Sequence, residues 1–153
     1  MKAFVYHMEV NVRDAAVSLP FYRDLLGYLE FRCVHDDASV AGYSDGRTSI
    51  WLIETASSHT GPGFHRKRTG LNHLAFRVPQ RNDVDRFAKD FLTPRGLARL
   101  YETPREFPEY RPGYYAVFFE DPDRLKLEVV HLPPQEAENG PSASLAPSAA
   151  RST

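Results

Sequence analysis

The stretch HMEVNVRDAAVSLPFYRDLL (residues 7–26) lies without a gap over HLAFRVPQRNDVDRFAKDFL (residues 73–92), and this self-match decides the fold. His7/His73, Val12/Val78, Phe21/Phe87, Asp24/Asp90 and Leu26/Leu92 coincide. The physical pattern repeats more fully than the letters. Phe4, Tyr6, Met8, Val10 and Val12 alternate with Val5, His7, Glu9 and Asn11; Leu74, Phe76 and Val78 alternate with His73, Ala75 and Arg77. A period of two with one apolar face is a half-buried strand. Each copy shows its histidine on the more polar side.

A helical period follows each strand. Val84, Phe87, Ala88, Phe91 and Leu92 form one apolar stripe behind the capping candidates Asn82 and Asp83. Val17, Phe21, Tyr22, Leu25 and Leu26 form the stripe of the first copy, which is expected to stop at Gly27. A proline inside a helix costs roughly 3 kcal/mol, so the first helix is predicted to begin at Ser18, with Pro20 harmless in its first turn. Strand signals then cover 28–34, 39–43 and 48–55 in one half and 98–102, 114–120 and 125–131 in the other. Asp45-Gly46 and Asp121-Pro122-Asp123 separate the last two strands of each half, as in hairpins. Each half, about 1–56 and 71–132, therefore reads β-α-β-β-β, an α+β domain built from two modules. The intervening loops 56–70 and 103–113 are long and rich in Gly, Pro and charge, the kind of segment in which ligands are handled.

Composition excludes several classes. Lys and Arg number 19 against 20 Asp and Glu, so no basic footprint predicts a nucleic-acid partner. Hydrophobic residues are 42% and charged residues 25%, enough to bury a core. No apolar run approaches the ~18 residues of a membrane span, so no membrane partner is expected, and without a secretory signal the expected location is the cytoplasm. A single cysteine, Cys33, rules out a disulfide or cysteine-based metal site within one chain; it is expected to pack as a small apolar residue. Residues 133–153 carry four prolines and one large apolar side chain, Leu145, and are expected to form a mobile tail beyond a single domain spanning 1–132.

Aligned from their far ends, the halves place Leu52-Ile53-Glu54-Thr55 over Lys126-Leu127-Glu128-Val129, so each offers a histidine on its first strand and a glutamate on its last. Two imidazoles and one or two carboxylates suit a divalent transition metal: Fe, Mn, Ni, Co or Zn. The set His7, His73, Glu128 and Glu54 is therefore the candidate metal site, provided the halves bring it together. Simpler readings stand beside it. A strand histidine is commonly solvated. Glu128, among Leu125, Leu127, Val129 and Val130, either faces water at a sheet edge or is held inward by a cation. Glu54 can mark the wet end of its strand.

His7 with its strand, Ser18-x-x-Phe21-Tyr22-x-x-x-Leu26-Gly27, Leu71-Asn72-His73-Leu74-Ala75-Phe76, and Asp121-Pro122-Asp123 ahead of Glu128 together resemble the vicinal oxygen chelate superfamily of glyoxalases, bleomycin-resistance proteins and extradiol dioxygenases. The resemblance covers the whole folded part. It implies two β-α-β-β-β modules forming a cupped, mixed eight-stranded sheet with the metal in the cup. It also implies a homodimer, and a small-molecule substrate bound through adjacent oxygens. His7, His73 and Glu128 match the three shared ligands, and Glu54 matches a fourth in the glyoxalase I branch. Asn11 stands where glyoxalase I proteins place an arginine for glutathione, which argues against a glutathione thioester. Arg124 stands where the last turn usually ends in glycine.

On this reading the reaction is a lyase, isomerase or ring-cleaving dioxygenase step, with Glu54 as candidate base and Tyr115, or Tyr114, as hydrogen-bond donor to a substrate oxygen. The alternatives are a metal-free drug- or metabolite-binding protein of the bleomycin-resistance type and a dimerisation module. The other histidines are weaker candidates: His35 reads as surface, and His131 has the opposite strand parity to Glu128. His59 and His65 lie in the first long loop, where the run His65-Arg66-Lys67-Arg68 either meets an anionic substrate or is a solvated surface.

Overall fold

The computed structural model describes residues 1–134. Residues 135–153, most of the expected tail, lie outside the described residues. The chain divides into two compact units, Met1–Asn72 with Glu120–Lys126, and His73–Phe119 with the chain from Leu127 onward.

In the first unit, β1 (His7–Val12), α1 (Ala15–Tyr28), β2 (Arg32–Asp36), β3 (Val40–Ser44) and β4 (Ser49–Glu54) build a sheet in the order β1-β4-β3-β2. β1 runs parallel to β4, and β3 is antiparallel to both its neighbours, β4 and β2. In the second unit, β5 (His73–Val78), α2 (Arg81–Arg86), β6 (Leu100–Glu106), β7 (Tyr115–Glu120) and β8 (Lys126–His131) give the order β5-β8-β7-β6. Strand for strand this is the same permutation, so the sequence repeat is a repeat of topology. The protein is α+β with two four-stranded mixed sheets.

α1 departs from the sequence expectation at both ends. It starts at Ala15, not Ser18, because the Asp14 carboxylate accepts the Ala16 amide (2.9 Å) and the Glu54 carboxylate accepts the Ala15 amide (3.1 Å). These caps, with burial of Ala15, Ser18 and Leu19, offset Pro20 in the helix interior. The helix also runs past Gly27. Glu30, at φ 64°, makes the left-handed turn, while Phe31 N–H donates to Leu26 O (2.9 Å). The buried stripe is Ala15, Ser18, Leu19, Tyr22, Leu25 and Leu26, whereas Val17 is exposed. In the second unit Val84, Phe87, Ala88, Phe91 and Leu92 are all buried as the period predicts. Asp83 caps from inside α2, accepting the Gln80 amide at 2.9 Å, and the turns over Phe87–Leu92 widen before Gly96 ends the segment at φ 63°.

Two other expectations shift. Strand β6 extends through Glu106 rather than ending at 102, with a register irregularity between Leu100 and Arg105. The Thr103 hydroxyl repairs the ladder there: it donates to Leu100 O (2.7 Å) and accepts the Phe118 amide (3.1 Å). Cys33, expected to be packed, is exposed on edge strand β2, where every residue is exposed.

The hairpin turns are built alike. Asp45 accepts the amides of Arg47 (2.8 Å) and Thr48 (2.7 Å); Asp121 accepts those of Asp123 (2.9 Å) and Leu125 (2.7 Å). The second turn is locked further within the first unit, where Tyr22 donates to Asp121 (2.7 Å), and the Arg13 amide (2.8 Å) and Ser18 hydroxyl (3.3 Å) donate to Asp123. Burial, above all, raises Asp121 from its ordinary 3.8 to about 6. The folded chain therefore holds this proton more tightly than the unfolded chain. Its contribution to stability is full below pH 3.8 and is lost as pH climbs through about 6, by up to about 3 kcal/mol. Urea midpoints for the wild type should fall across this window, and Asp121→Asn should fall less steeply; parallel curves would contradict the assignment. Tyr22→Phe should lose about 1.5–3 kcal/mol in the same measurement, because it strips a buried carboxyl of a partner.

Candidate metal centre

β8 is an interior strand of its sheet, flanked by β5 and β7, so its side chains have no sheet edge through which to reach water. Glu128 accordingly is fully buried, at 0% exposure, amid Leu127, Val129 and Val130. A carboxylate placed there needs compensation for its lost hydration. One oxygen has it: the Tyr114 hydroxyl donates to Oε1 in a short hydrogen bond. Oε2 accepts no hydrogen bond. Nε2 of His73, on the neighbouring strand β5, lies 3.2 Å from it. Burial, followed by the bond to Glu128, pushes the Tyr114 hydroxyl far above its usual range, so Tyr114 stays a donor at every working pH. Phe118 meets the His73 ring edge-on at 6.4 Å and bounds the pair.

The fit to a cation rests on that orphaned oxygen. A buried carboxylate oxygen and an imidazole nitrogen facing each other at 3.2 Å are two donor atoms converging on one region, and these ligand types suit divalent transition metals. His73 is partly exposed (36%), leaving the pair accessible from solvent. Among the described residues, no group of three or more His, Cys, Asp or Glu forms a ready cage within either unit.

In the first unit His7 opens β1, half-exposed, with Nε2 3.9 Å from its neighbour-but-one Glu9. His7 pairs with Ser49 while Glu54 pairs with Val12, so His7 and Glu54 sit five residues apart along the parallel strands, roughly 16 Å at the usual strand rise. Glu54 spends Oε1 on the Ala15 amide. The strand register, moreover, sets Trp51, not Glu54, in the place Glu128 has in the second unit. Both are third in their strands, and both stand three residues after the residue that closes the preceding turn, Thr48 and Leu125, whose carbonyls accept the Asp45 and Asp121 amides. The alignment from the strand ends was three residues out of register. The Trp51 indole packs over Gly42, where a Cβ would come within 3.0 Å of the ring.

Tyr115 points away from Glu128. Its hydroxyl donates to Asp85 (2.7 Å) and the Arg81 guanidinium lies 3.9 Å over its ring. Of the two tyrosines considered, Tyr114 is the one on Glu128. Strand parity would have separated them had the burial of Glu128 been readable. Sequence reasoning also missed the Tyr22–Asp121 bond, whose only signal was the one hydroxyl in the apolar stripe Val17, Phe21, Tyr22, Leu25 and Leu26.

Paired β-α-β-β-β units, each closing a four-stranded mixed sheet of the same strand order, define the class of fold. The model of the Glyoxalase/Bleomycin resistance protein/Dioxygenase superfamily matches residues 5–129, and the chain belongs to that superfamily. It is 33% identical to the uncharacterized protein YqjT of Bacillus subtilis (strain 168) over 126 residues, 82% of this chain and 97% of the relative. A solved Bacillus halodurans protein of the glyoxalase type is 38% identical, with a TM-score of 0.78 over 86% of this chain and 97% of that one. A glyoxylase/bleomycin resistance protein/dioxygenase domain from Frankia sp. EAN1pec is 26% identical, with a TM-score of 0.65 over 86% and 98%. Proteins of the superfamily bind small molecules and typically use divalent metals.

Tyr114→Phe should leave neither oxygen of Glu128 hydrogen-bonded and lower the stability of metal-free protein by about 1–3 kcal/mol. Adding Glu128→Leu to Tyr114→Phe should recover part of the loss, since paired removal is cheaper than stranding one partner. Denaturant titration of both variants checks this; a harmless Tyr114→Phe would contradict it.

Proposed function

We propose that the chain is a metal-dependent enzyme of the lyase, isomerase or dioxygenase type, with His73 and Glu128 as ligands and a small substrate held through two neighbouring oxygens. The observation that supports it most is the buried Glu128 Oε2, without a hydrogen bond and facing His73 Nε2. A bound Fe, Mn, Ni, Co or Zn ion supplies Lewis acidity toward those substrate oxygens and stabilises the negative charge that develops on them.

The chain's own residues supply the rest. Glu128 contributes the anion, and Tyr114 fixes its rotation by holding Oε1 so that Oε2 is the free donor. Tyr114 keeps its proton, so it positions the carboxylate and does not act as a base. Glu54 and Tyr115 are left out of this assignment, because the helix start and Asp85 engage them. Asn11, in place of the glutathione-binding arginine of glyoxalase I proteins, directs the reading away from glutathione adducts.

Untagged protein should bind about one equivalent of divalent metal per chain, measured by elemental analysis after dialysis. His73→Ala and Glu128→Gln should each weaken binding by about tenfold or more. Glu128→Gln keeps an acceptor for Tyr114, so its loss of metal separates ligation from folding. Protein that stays metal-free after exposure to all five metals, yet binds small ligands, would replace the enzyme reading with a sequestering protein.

A further inference from the structure

We propose that the first unit carries an oxyanion subsite, a cleft of about 60 Å³ lined by Phe64, His65, Arg66, Lys67 and Arg124, which holds the phosphate group of a small phosphomonoester. The site uses side chains that the metal centre does not, and stands independently of it. Three permanent cations from two segments far apart in the chain border the cleft, beside one carboxylate, Glu120. Glu120 serves to orient them. Arg66 Nη1 donates to Oε1, and Arg124 Nε lies 3.5 Å from Oε2, so one carboxylate sets both guanidinium forks. A guanidinium has five N–H donors, and this engagement leaves each fork donors for a further oxyanion.

The loop is folded upon itself before any ligand arrives. Arg68 donates to Gly63 O (3.0 Å) and Pro62 O (3.4 Å), Asn72 Nδ2 donates to Arg66 O (3.0 Å), and the Lys67 amide donates to His65 Nδ1 (3.2 Å). That last bond leaves the ring proton of a neutral His65 on Nε2, the remaining donor. Such preorganisation cuts the ordering cost of binding. Arg124 adds a second signal. It occupies φ 70°, a conformation glycine adopts without strain, so a charged side chain is carried here against local backbone preference. The cleft has room for one small anionic group, and Phe64, 37% exposed, offers an apolar wall for the organic part. A carboxylate is satisfied by one fork, whereas several cations converging from two segments match a tetrahedral dianion.

The test is calorimetric titration of the full chain with inorganic phosphate, phenyl phosphate and acetate, each against sodium chloride of equal ionic strength. Saturable binding of both phosphates is expected, with acetate about tenfold weaker or worse. Tighter binding of phenyl phosphate assigns the group to an organic ester, and equal binding assigns it to the free ion; either supports the oxyanion site. Arg124→Gly and Lys67→Gln should each weaken phosphate by about tenfold. Arg124→Gly relieves the backbone and should keep its melting temperature, and Lys67 is exposed, so a failure of one variant to fold leaves the other decisive. Affinity that is indistinguishable from chloride screening, or unchanged in a folded variant, would overturn the proposal.

Discussion

A carboxylate with no access to water dominates the energetics of the second unit. Glu128 sits on an interior strand among aliphatic neighbours, with one oxygen bonded to Tyr114 and the other left bare beside His73. Burying such a group unpaired costs several kcal/mol, and nothing about packing requires a glutamate there. Strand β4 makes the comparison, for the equivalent place holds Trp51, which fills its space against Gly42 with no polar debt. One topology therefore tolerates either a large aromatic or a buried anion at this place. The anion kept in one copy is the observation on which the proposed metal site rests.

The first unit faces a different constraint. Its long turn before β8 must hold a definite shape, and Asp121, Asp123, Tyr22 and Ser18 fix it through buried or half-buried hydrogen bonds. This network explains why α1 accepts Pro20 in its interior: the stripe facing inward carries two polar residues, Ser18 and Tyr22, whose bonds depend on the helix being in register from Ala15. Glu54 belongs to the same solution, since it caps the helix start.

The architecture was legible because the repeat imposes two independent periods on two copies, and Val84, Phe87, Ala88, Phe91 and Leu92 could hardly be read otherwise. Helix ends were less so. Gly27 carries the usual stop signal, but the chain turns at Glu30, where local backbone bonds from Leu29, Glu30 and Phe31 to the carbonyls of Leu25, Gly27 and Leu26 close the helix. At the site, His73 was named from the repeat, and Glu128 from a far-end match to Glu54 and from the family resemblance. Trp51 was hidden because Glu54 and Glu128 match as letters, although Glu54 ends its strand and Glu128 is third in its own. The choice between Tyr114 and Tyr115 turned on which face of β7 meets Glu128, a question that neighbouring residues of one type cannot answer.

The central claim is that Glu128 and His73 are jointly ligands. X-ray absorption at the metal edge of the full chain loaded with stoichiometric zinc reads this most directly. The account predicts a nitrogen and oxygen first shell with imidazole scattering that diminishes in His73→Ala, and a carboxylate contribution lost in Glu128→Gln. A hydrated ion with no imidazole signal, or spectra identical in wild type and both variants, would contradict it.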